Sequence, residues 1–585
     1  LPDGSITDRE LLLSLGLTGK NLLNLYHWMI VTRIFHEVCK EESEADPRRL
    51  TLQIGPKGQE AAEVGSAYAL DKRDWIFAYA RTQGHWHVRE VPLESQFIEF
   101  YCYGTPPSFV VEDFTSRDIR LPYTWVGNQI PHAIGAAWAA KMFGDNAVAA
   151  AFFGDGATDE GDFHSINWAA IFNIPVILIC ENNKYAITMP TEVLTAAPFW
   201  KKAEAHGIRA VHADGNDVLA MYAVTRSARR MAIEEHKATF IQADTDRQGP
   251  HTNAVKDVLP PTQEEMEGWK ERDCIQRFER FLASDLARDL YGIVWMPADG
   301  LETYQRILGE VRRAARDAYE KAAAILEKAK DLVVQHETIY SSFAPHTVGM
   351  FTHTIFRGQK TFERVNPQHA VGLALHDGLP KAVCIGQDIG RVGGVMRTTR
   401  LLKEAVRVLY PQYMDMIARQ PSLPLQVLYH DRVLDTPVSE SDILGIGLGL
   451  ALKGVVTVAE IQFHEFANIG MHHIDEAARM LQRYAGRISI PFVVRMPFGA
   501  GERIEGHNGD DIRRYFNIPG LIIACPSLVV QDWYDMLLAS MDAGLPVLFF
   551  EHIDLYRSIH GAVTRRSPSK RIEEFGVRVA REGRH

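Results

Sequence analysis

The chain is poor in cysteine. Six lie scattered through 585 residues (Cys39, Cys102, Cys180, Cys274, Cys384, Cys525), and none forms a CxxC pair. That usage argues against zinc knuckles and a disulfide framework, so a reducing, cytoplasmic compartment is expected. Long apolar runs are missing too. None approaches the roughly 18 to 20 residues needed to span a bilayer, and Leu1-Pro2-Asp3-Gly4 does not read as a signal peptide, so no membrane role is expected. The opening has no initiator Met, as a segment from inside a longer product would not. Basic blocks are absent as well. With 63 Lys and Arg against 74 Asp and Glu the formal charge is −11, which gives nucleic-acid binding no electrostatic support.

What is present is an ordinary globular balance: 46% hydrophobic and 23% charged residues, with 44 Gly and 28 Pro. At about 150 residues per domain, the length predicts about three or four domains. Residues 21–40 place apolar side chains at helical spacing, and Gly58-Gln59-Glu60-Ala61-Ala62 opens a second helical run through Leu70. Between Asn146 and Phe153 an apolar run closes on Gly154-Asp155-Gly156. A helical stretch follows to Asn173, and a second apolar run from Pro175 to Cys180 closes on Glu181-Asn182-Asn183. Strand, helix, strand is the unit of a parallel sheet. Residues 301–332 are helix-rich and close the first half, and the aperiodic stretch 335–359 reads as a connection. The second half shows four further strand candidates, Ala382–Ile385, Val455–Ala459, Pro491–Val494 and Leu521–Ala524.

The strand ends of the first half carry the chemistry. In an open parallel sheet, ligands bind beyond the carboxyl ends of the strands. One such end offers Asp155 between two glycines, and another offers two amides, 25 residues further on (157–181 intervening). A carboxylate, an amide oxygen and a backbone carbonyl are hard oxygen ligands suited to Mg²⁺, which is completed by water and phosphate oxygens. Glycines at 154 and 156 would let the backbone approach a diphosphate closely. Either motif alone reads more readily as a tight turn or a loop; the two together point to a diphosphate held through Mg²⁺.

Gly154-Asp155-Gly156 followed by Asn182-Asn183 resembles the thiamine diphosphate motif. The text around it, with GPKGQEAAEVGSAYAL upstream and RQGPHT downstream, resembles the alpha subunit of the decarboxylating component of 2-oxo acid dehydrogenase complexes, over most of residues 20–340. The resemblance implies Mg²⁺ on Asp155, the Asn183 side chain and the Tyr185 carbonyl, with Arg81 and His251 near the diphosphate and Gln129, Gly154 and Gly156 also at the cofactor. In the second half, GQDIGRVGGVMR, DTPVSESDILGIGLGLALKG, AEIQFHEF and RMPFGAGERIEGHNGDD resemble the beta subunit of the same component. The fold class implied is α/β. It comprises two thiamine diphosphate-binding domains with mostly parallel sheets: an alpha-like domain over 1–340, a linker at 341–360 and a beta-like pyrimidine-binding domain over 361–585.

Activation of such a cofactor needs a carboxylate hydrogen-bonded to a pyrimidine ring nitrogen, so that the exocyclic amine can act as a base. Glu440 matches the family glutamate in that role, with Val438, Ile443 and Leu444 as an expected apolar surround. On its own Glu440 reads as an acidic residue at a helix start, beside the cap-like Ser439 and Ser441. Phe466 matches the aromatic that packs on the pyrimidine, Gln462 the glutamine facing it, and His507 and His251 the histidines of acyl transfer. The adjacent His472 and His473 are expected on different helix faces, as structural residues.

Some positions depart from the family. Tyr79-Ala80-Arg81 stands where Tyr-Arg is common, Gln387 replaces a common Glu, 401–430 reads as an insertion, and a further small α/β domain would begin where the chain ends at His585. The resemblance implies oxidative decarboxylation of a 2-oxo acid with acyl transfer to the lipoyl domain of a dihydrolipoyl acyltransferase. EGDFHSINWAA and NNKYAIT are closer to branched-chain-type relatives, and a homodimer is expected. Non-oxidative carboligation of the transketolase or acetoin type, and a catalytically weakened scaffold, remain open alternatives.

Overall fold

The computed structural model describes residues 9–46, 50, 54–81, 83–102, 107–121, 125–252, 262–329, 360–390, 393–394, 396–402, 432–484, 486–499 and 512–565. The chain divides into two compact units: Leu1–Ala133 with Asp145–Val334, and Ile134–Gly144 with Gln335–His585.

The first unit is built on strands β1 (Trp75–Phe77), β2 (Ile119–Arg120), β3 (Ala149–Gly154), β4 (Val176–Asn182), β7 (Arg209–Asp214) and β8 (Thr239–Asp244), with a small hairpin of β5 (Tyr185–Ala186) and β6 (Met189–Pro190). The six form one parallel sheet in the order β2-β1-β3-β4-β8-β7. The expected strand, helix, strand unit is β3, the helix Ile166–Ile171 and β4, in parallel register from Ala149↔Val176 to Gly154↔Glu181. Both strands are buried along nearly their whole length, as a sheet covered on two faces requires.

The helix Gly19–Ala45 opens on a capping box at Thr18, and Glu60–Ala69 packs against Val218–Glu235 so closely that a Cβ at Gly65 would meet the Val218 carbonyl at 2.5 Å. The run read as helix-rich from 301 is the helix Pro297–Ala329. Its buried Ile307, Val311, Ala315, Ala318 and Ala322 repeat every three or four residues, one apolar stripe laid on the unit.

The second unit has β10 (Ala382–Gly386), β11 (Val433–Asp435), β12 (Val456–Glu460), β13 (Phe492–Phe498), β14 (Ile522–Ala524) and β15 (Val547–His552) in a parallel sheet ordered β11-β10-β12-β13-β15-β14. The four strands expected in this half are β10, β12, β13 and β14. A separate antiparallel pair joins β9 (Lys360–Val365) to β16 (Gly561–Arg565). Residue 360, expected to end the linker, is therefore already strand; 341–359 and the insertion from 403 lie outside the described residues. Trp533, Leu537, Phe549 and Val547 are fully buried in this unit's core, and side chains of this size contribute roughly 1.5–3 kcal/mol each. Tyr534 and Arg565 both donate to Asp377 at 2.8 Å, tying β16 to the helix Pro367–Gly378.

Numbered within each sheet in chain order, both units have the strand order 2-1-3-4-6-5. In such a sheet the connections reverse direction between strands 1 and 3, and the crevice beyond their carboxyl ends is where ligands bind. In the first unit this is the space after β1 and β3, and in the second the space after β10 and β12.

All six cysteines are free, and only Cys525 is exposed. Among the described residues no helix is long and apolar enough to cross a membrane.

Candidate functional site

Asp155 follows the last residue of β3. Its Oδ1 accepts from the Gly156 N–H at 2.9 Å, while Oδ2 is buried without a partner. Burial pushes the carboxyl up to about 6; the Gly156 N–H and the charges of Arg81 and Arg247 pull the other way without compensating. A buried, unpartnered carboxylate oxygen whose charge is penalised by desolvation is the environment a cation relieves.

Asn183 follows β4. Its Nδ2 donates to Gln59 Oε1 at 3.1 Å, which fixes the amide so that Oδ1 faces the Tyr185 N–H at 3.2 Å. The Tyr185 N–H also pulls the Asp155 carboxyl down, which puts the three expected metal residues near one another. The Tyr185 carbonyl accepts from Arg247 at 3.3 Å and retains a second lone pair. Three hard oxygen donors from two strand ends fit Mg²⁺. Asn182 is differently employed: its amide donates to Asp244 at 2.8 Å.

Arg81 is buried, donating through Nη1 to the Gly55 carbonyl at 2.8 Å and through Nη2 toward His251 Nδ1 at 3.2 Å. A guanidinium only donates, so Nδ1 accepts and the imidazole proton sits on Nε2. Arg81 and His251 are thus brought together. Gly154 has an ordinary extended backbone (φ −81°), and a Cβ there would touch Tyr79 at 3.6 Å; at Gly156 it would crowd Ala186 at 3.2 Å. Gln129 begins the helix Gln129–Phe143, and its Nε2 is engaged with the Phe152 carbonyl of β3 at 3.0 Å.

Behind these residues lies a relay that sequence reasoning missed. Gln59, fully buried, bridges Asn183 and Glu181, since its Nε2 donates to Glu181 Oε2. Tyr79, two residues before Arg81, donates to the same Glu181 oxygen at 2.9 Å. Burial pushes Glu181 up to about 8 despite these donors and Arg81, and it pushes Glu63 in the same direction, reinforced by the charge of Glu181. The partners lie 102 to 124 positions apart, and the only signal for the relay was the GQEA phrase itself.

In the second unit, Glu440 is the first residue of the helix Glu440–Leu452. Ser439 caps that helix by accepting from the Asp442 N–H at 3.4 Å. The helix-start reading of Glu440 is therefore correct, and it leaves the carboxylate accessible for a second task. Gln387, just beyond β10, donates to Glu440 Oε1 at 3.0 Å. A glutamate at 387 would set two carboxylates at that distance; the amide instead supplies a donor. The apolar surround is only partly as expected: Ile443 and Leu444 are fully buried, but Val438 is 82% exposed, because it precedes the cap and points out of the turn.

Gln462 follows β12 and is half-buried. Phe466 lies in the 3-10 turn His464–Gly470, its ring edge-on to Phe463 at 5.4 Å and partly open. The rings of His472 and His473 lie 3.9 Å apart, so these side chains sit together instead of on different faces. His507 lies outside the described residues.

Two parallel sheets of one topology, one ending in an oxygen-donor set beside a buried arginine and the other in a carboxylate with a glutamine donor, define an α/β enzyme that binds a diphosphate cofactor. Residues 26–328 match the model of the dehydrogenase E1 component family, and residues 369–558 that of the transketolase pyrimidine-binding domain. The alpha subunit of 3-methyl-2-oxobutanoate dehydrogenase from Mycobacterium tuberculosis is 38% identical over 284 residues, 48% of this chain and 75% of that protein. The pyruvate dehydrogenase E1 alpha subunit of Staphylococcus aureus is 34% identical over 322 residues (54% and 82%), and the human mitochondrial 2-oxoisovalerate dehydrogenase alpha subunit 29% over 353 (56% and 77%). The chain belongs to the dehydrogenase E1 component family, thiamine diphosphate-dependent enzymes of 2-oxo acids, with alpha-type and beta-type domains in one polypeptide.

Proposed function

We propose that the chain decarboxylates a 2-oxo acid with thiamine diphosphate and Mg²⁺ and transfers the acyl group to the lipoyl domain of a dihydrolipoyl acyltransferase. The observation that carries this reading is the unpartnered, buried Asp155 Oδ2 beside Asn183 Oδ1 and the Tyr185 carbonyl. Those three hold Mg²⁺. Arg81 and His251, with the backbone at Gly154 and Gly156, hold the diphosphate, and Gln129 braces β3 beneath it.

In the second unit Glu440 would lie against the pyrimidine ring nitrogen and pass a proton to and from it, while Gln387 keeps the carboxylate oriented. Phe466 offers a ring face, and Gln462 an amide, to the same heterocycle. When bound, the cofactor supplies the electron sink for loss of CO₂. His251, with its proton on Nε2, is a donor toward the substrate, and His507 is assigned to acyl transfer. In that transfer the lipoyl S–S bond breaks, one sulfur taking the acyl group as a thioester and the other leaving as a thiol.

Two of the three relatives above are named for branched 2-oxo acids, which together with EGDFHSINWAA and NNKYAIT favours a branched substrate. A homodimer in a reducing, cytoplasmic setting suits the family and the six free cysteines.

The test is to incubate the full chain with thiamine diphosphate, Mg²⁺, 3-methyl-2-oxobutanoate or pyruvate, and a free lipoylated domain, measuring CO₂ and the mass of the domain. An acyl adduct on the lipoyl domain supports the reading. CO₂ with a product formed only on an aldehyde acceptor supports carboligation instead, and no CO₂ from either acid sinks both.

A further inference from the structure

The second unit contains a concavity of about 220 Å³ that none of the cofactor residues lines. Four segments build it: Arg364 from β9, Asn366 and His369 from the start of the helix Pro367–Gly378, Arg397 and Arg400 from the loop after β10, and His560 just before β16. Its walls are fixed by specific contacts. The β9–β16 ladder pairs Val365 with Gly561, and Thr398 of the loop accepts from the buried Arg495 at 3.1 Å. Gln368 donates to the Met396 carbonyl, and the helix passes so close that a Cβ at Gly372 would meet the Thr398 carbonyl at 2.9 Å.

Among the described residues the lining's ionisable groups are all basic: three guanidiniums and two imidazoles, with no carboxylate. Arg364 and Arg400 make no ion pair or hydrogen bond among the described residues. His369 is held below the usual histidine range by partial burial and by the positive charge of Arg400. The helix start adds its positive end, with Asn366 already accepting from the His369 N–H at 2.8 Å. Like charges held together on a fixed frame repel, and an anion turns that cost into attraction. Guanidiniums are the groups that grip phosphate in paired hydrogen bonds.

We propose that this concavity is a second anion site, distinct from the cofactor site, for a small soluble phosphate-bearing metabolite. Its volume is below the usual range of drug-sized pockets, about 300–1,000 Å³, and suits a compact phosphorylated compound. The site is independent of the assignment of catalytic function, because it shares no residue with it.

Calorimetry with inorganic phosphate tests it, using the full chain saturated with thiamine diphosphate and Mg²⁺ so that the diphosphate end of the cofactor site is filled. One phosphate binds per chain at millimolar concentration or below, and Arg364→Gln and Arg400→Gln each weaken it by at least about tenfold, the loss expected for one charge-assisted hydrogen bond. The His369 ring resonances shift with phosphate in the wild type. Thermal melting and thiamine diphosphate binding unchanged in both variants show that the fold is retained. No phosphate heat in the wild type, or binding that both variants leave unaltered, overturns the proposal. So would binding only to anionic lipid vesicles, with none of free phosphate.

Discussion

The two sheets share one strand order, yet their equivalent positions carry different chemistry. After the first strand of each sheet the chain offers Arg81 in one unit and Gln387 in the other; after the third, Asp155 in one and Gln462 in the other. The helix following the second strand begins with Gln129 in the first unit and Glu440 in the second. Gln129 spends its amide nitrogen on the β3 backbone, whereas Glu440 only accepts from a neighbouring side chain and remains available to a ligand. One framework thus carries a carboxylate, an amide and an arginine at its strand ends in one copy and a carboxylate, amides and a partly open aromatic in the other. Topology selects the place where a ligand binds, and the residues at strand ends decide which part of it.

That contrast can be broken or sharpened by substitution. The largest effect is expected of Glu440→Gln, which keeps a hydrogen-bonding side chain and removes the proton acceptor. Turnover should fall by about 10²–10⁴-fold, the usual contribution of a positioned general base. Steady-state CO₂ release measures it, and a variant retaining near-wild-type turnover would remove Glu440 from the chemistry. Next comes Gln59→Met, which cuts the relay that orients Asn183. A partner behind a metal ligand is typically worth about 10–100-fold in metal affinity, so Mg²⁺ titration of thiamine diphosphate binding should shift to higher concentration by that much. Unchanged Mg²⁺ dependence would make the relay a packing feature only. Smaller again is Gln387→Ala, which takes one donor from Glu440; about tenfold in turnover is expected from loss of one hydrogen bond to a charged group, with cofactor affinity intact.

The smallest difference concerns acid. His36, His85 and His87, all in the first unit, are held at about 3 by burial, helped by neighbouring cationic groups. Their folded values lie below the unfolded value of 6.5. The unfolded chain's histidines therefore take up more protons as pH falls below 6.5. The raised Asp155, Glu181 and Glu63 carboxyls act the other way until the pH has passed below the ordinary carboxylate range of about 4, so the net loss is expected from there toward pH 3. Hydrogen exchange followed by mass spectrometry at stepwise lower pH should show β3 and β4 losing protection before β12 and β13. The reverse order would contradict the assignment.

Much of this arrangement was legible in the chain itself. β3 and β4 announce themselves because a strand buried on both faces must be continuously apolar and must stop abruptly, here at Gly154-Asp155-Gly156 and Glu181-Asn182-Asn183. β11, with three residues, is too short to show a period, and β15 was hidden because its run of Val547-Leu548-Phe549-Phe550 is as consistent with core helix as with strand. Asp155, Asn183 and Tyr185 could be singled out as candidate oxygen donors because they lie within two turns at neighbouring strand ends. Gln59 and Tyr79 could not, because their roles depend on contacts made across more than a hundred residues. The exposure of Val438 escaped for a related reason: adjacency in sequence to Glu440 says nothing about the side of the cap on which a residue falls.

The proposed function rests on a division of labour in which the first unit would hold the cofactor through its metal and diphosphate and the second would act on its ring. Calorimetric titration of thiamine diphosphate with Mg²⁺ into Asp155→Ala and Glu440→Gln tests that division. Asp155→Ala should lose at least about 100-fold in affinity, the upper end for outer-shell losses and a minimum for a direct ligand, while Glu440→Gln binds nearly as the wild type does. Equal losses in the two variants, or a loss confined to Glu440→Gln, would contradict it.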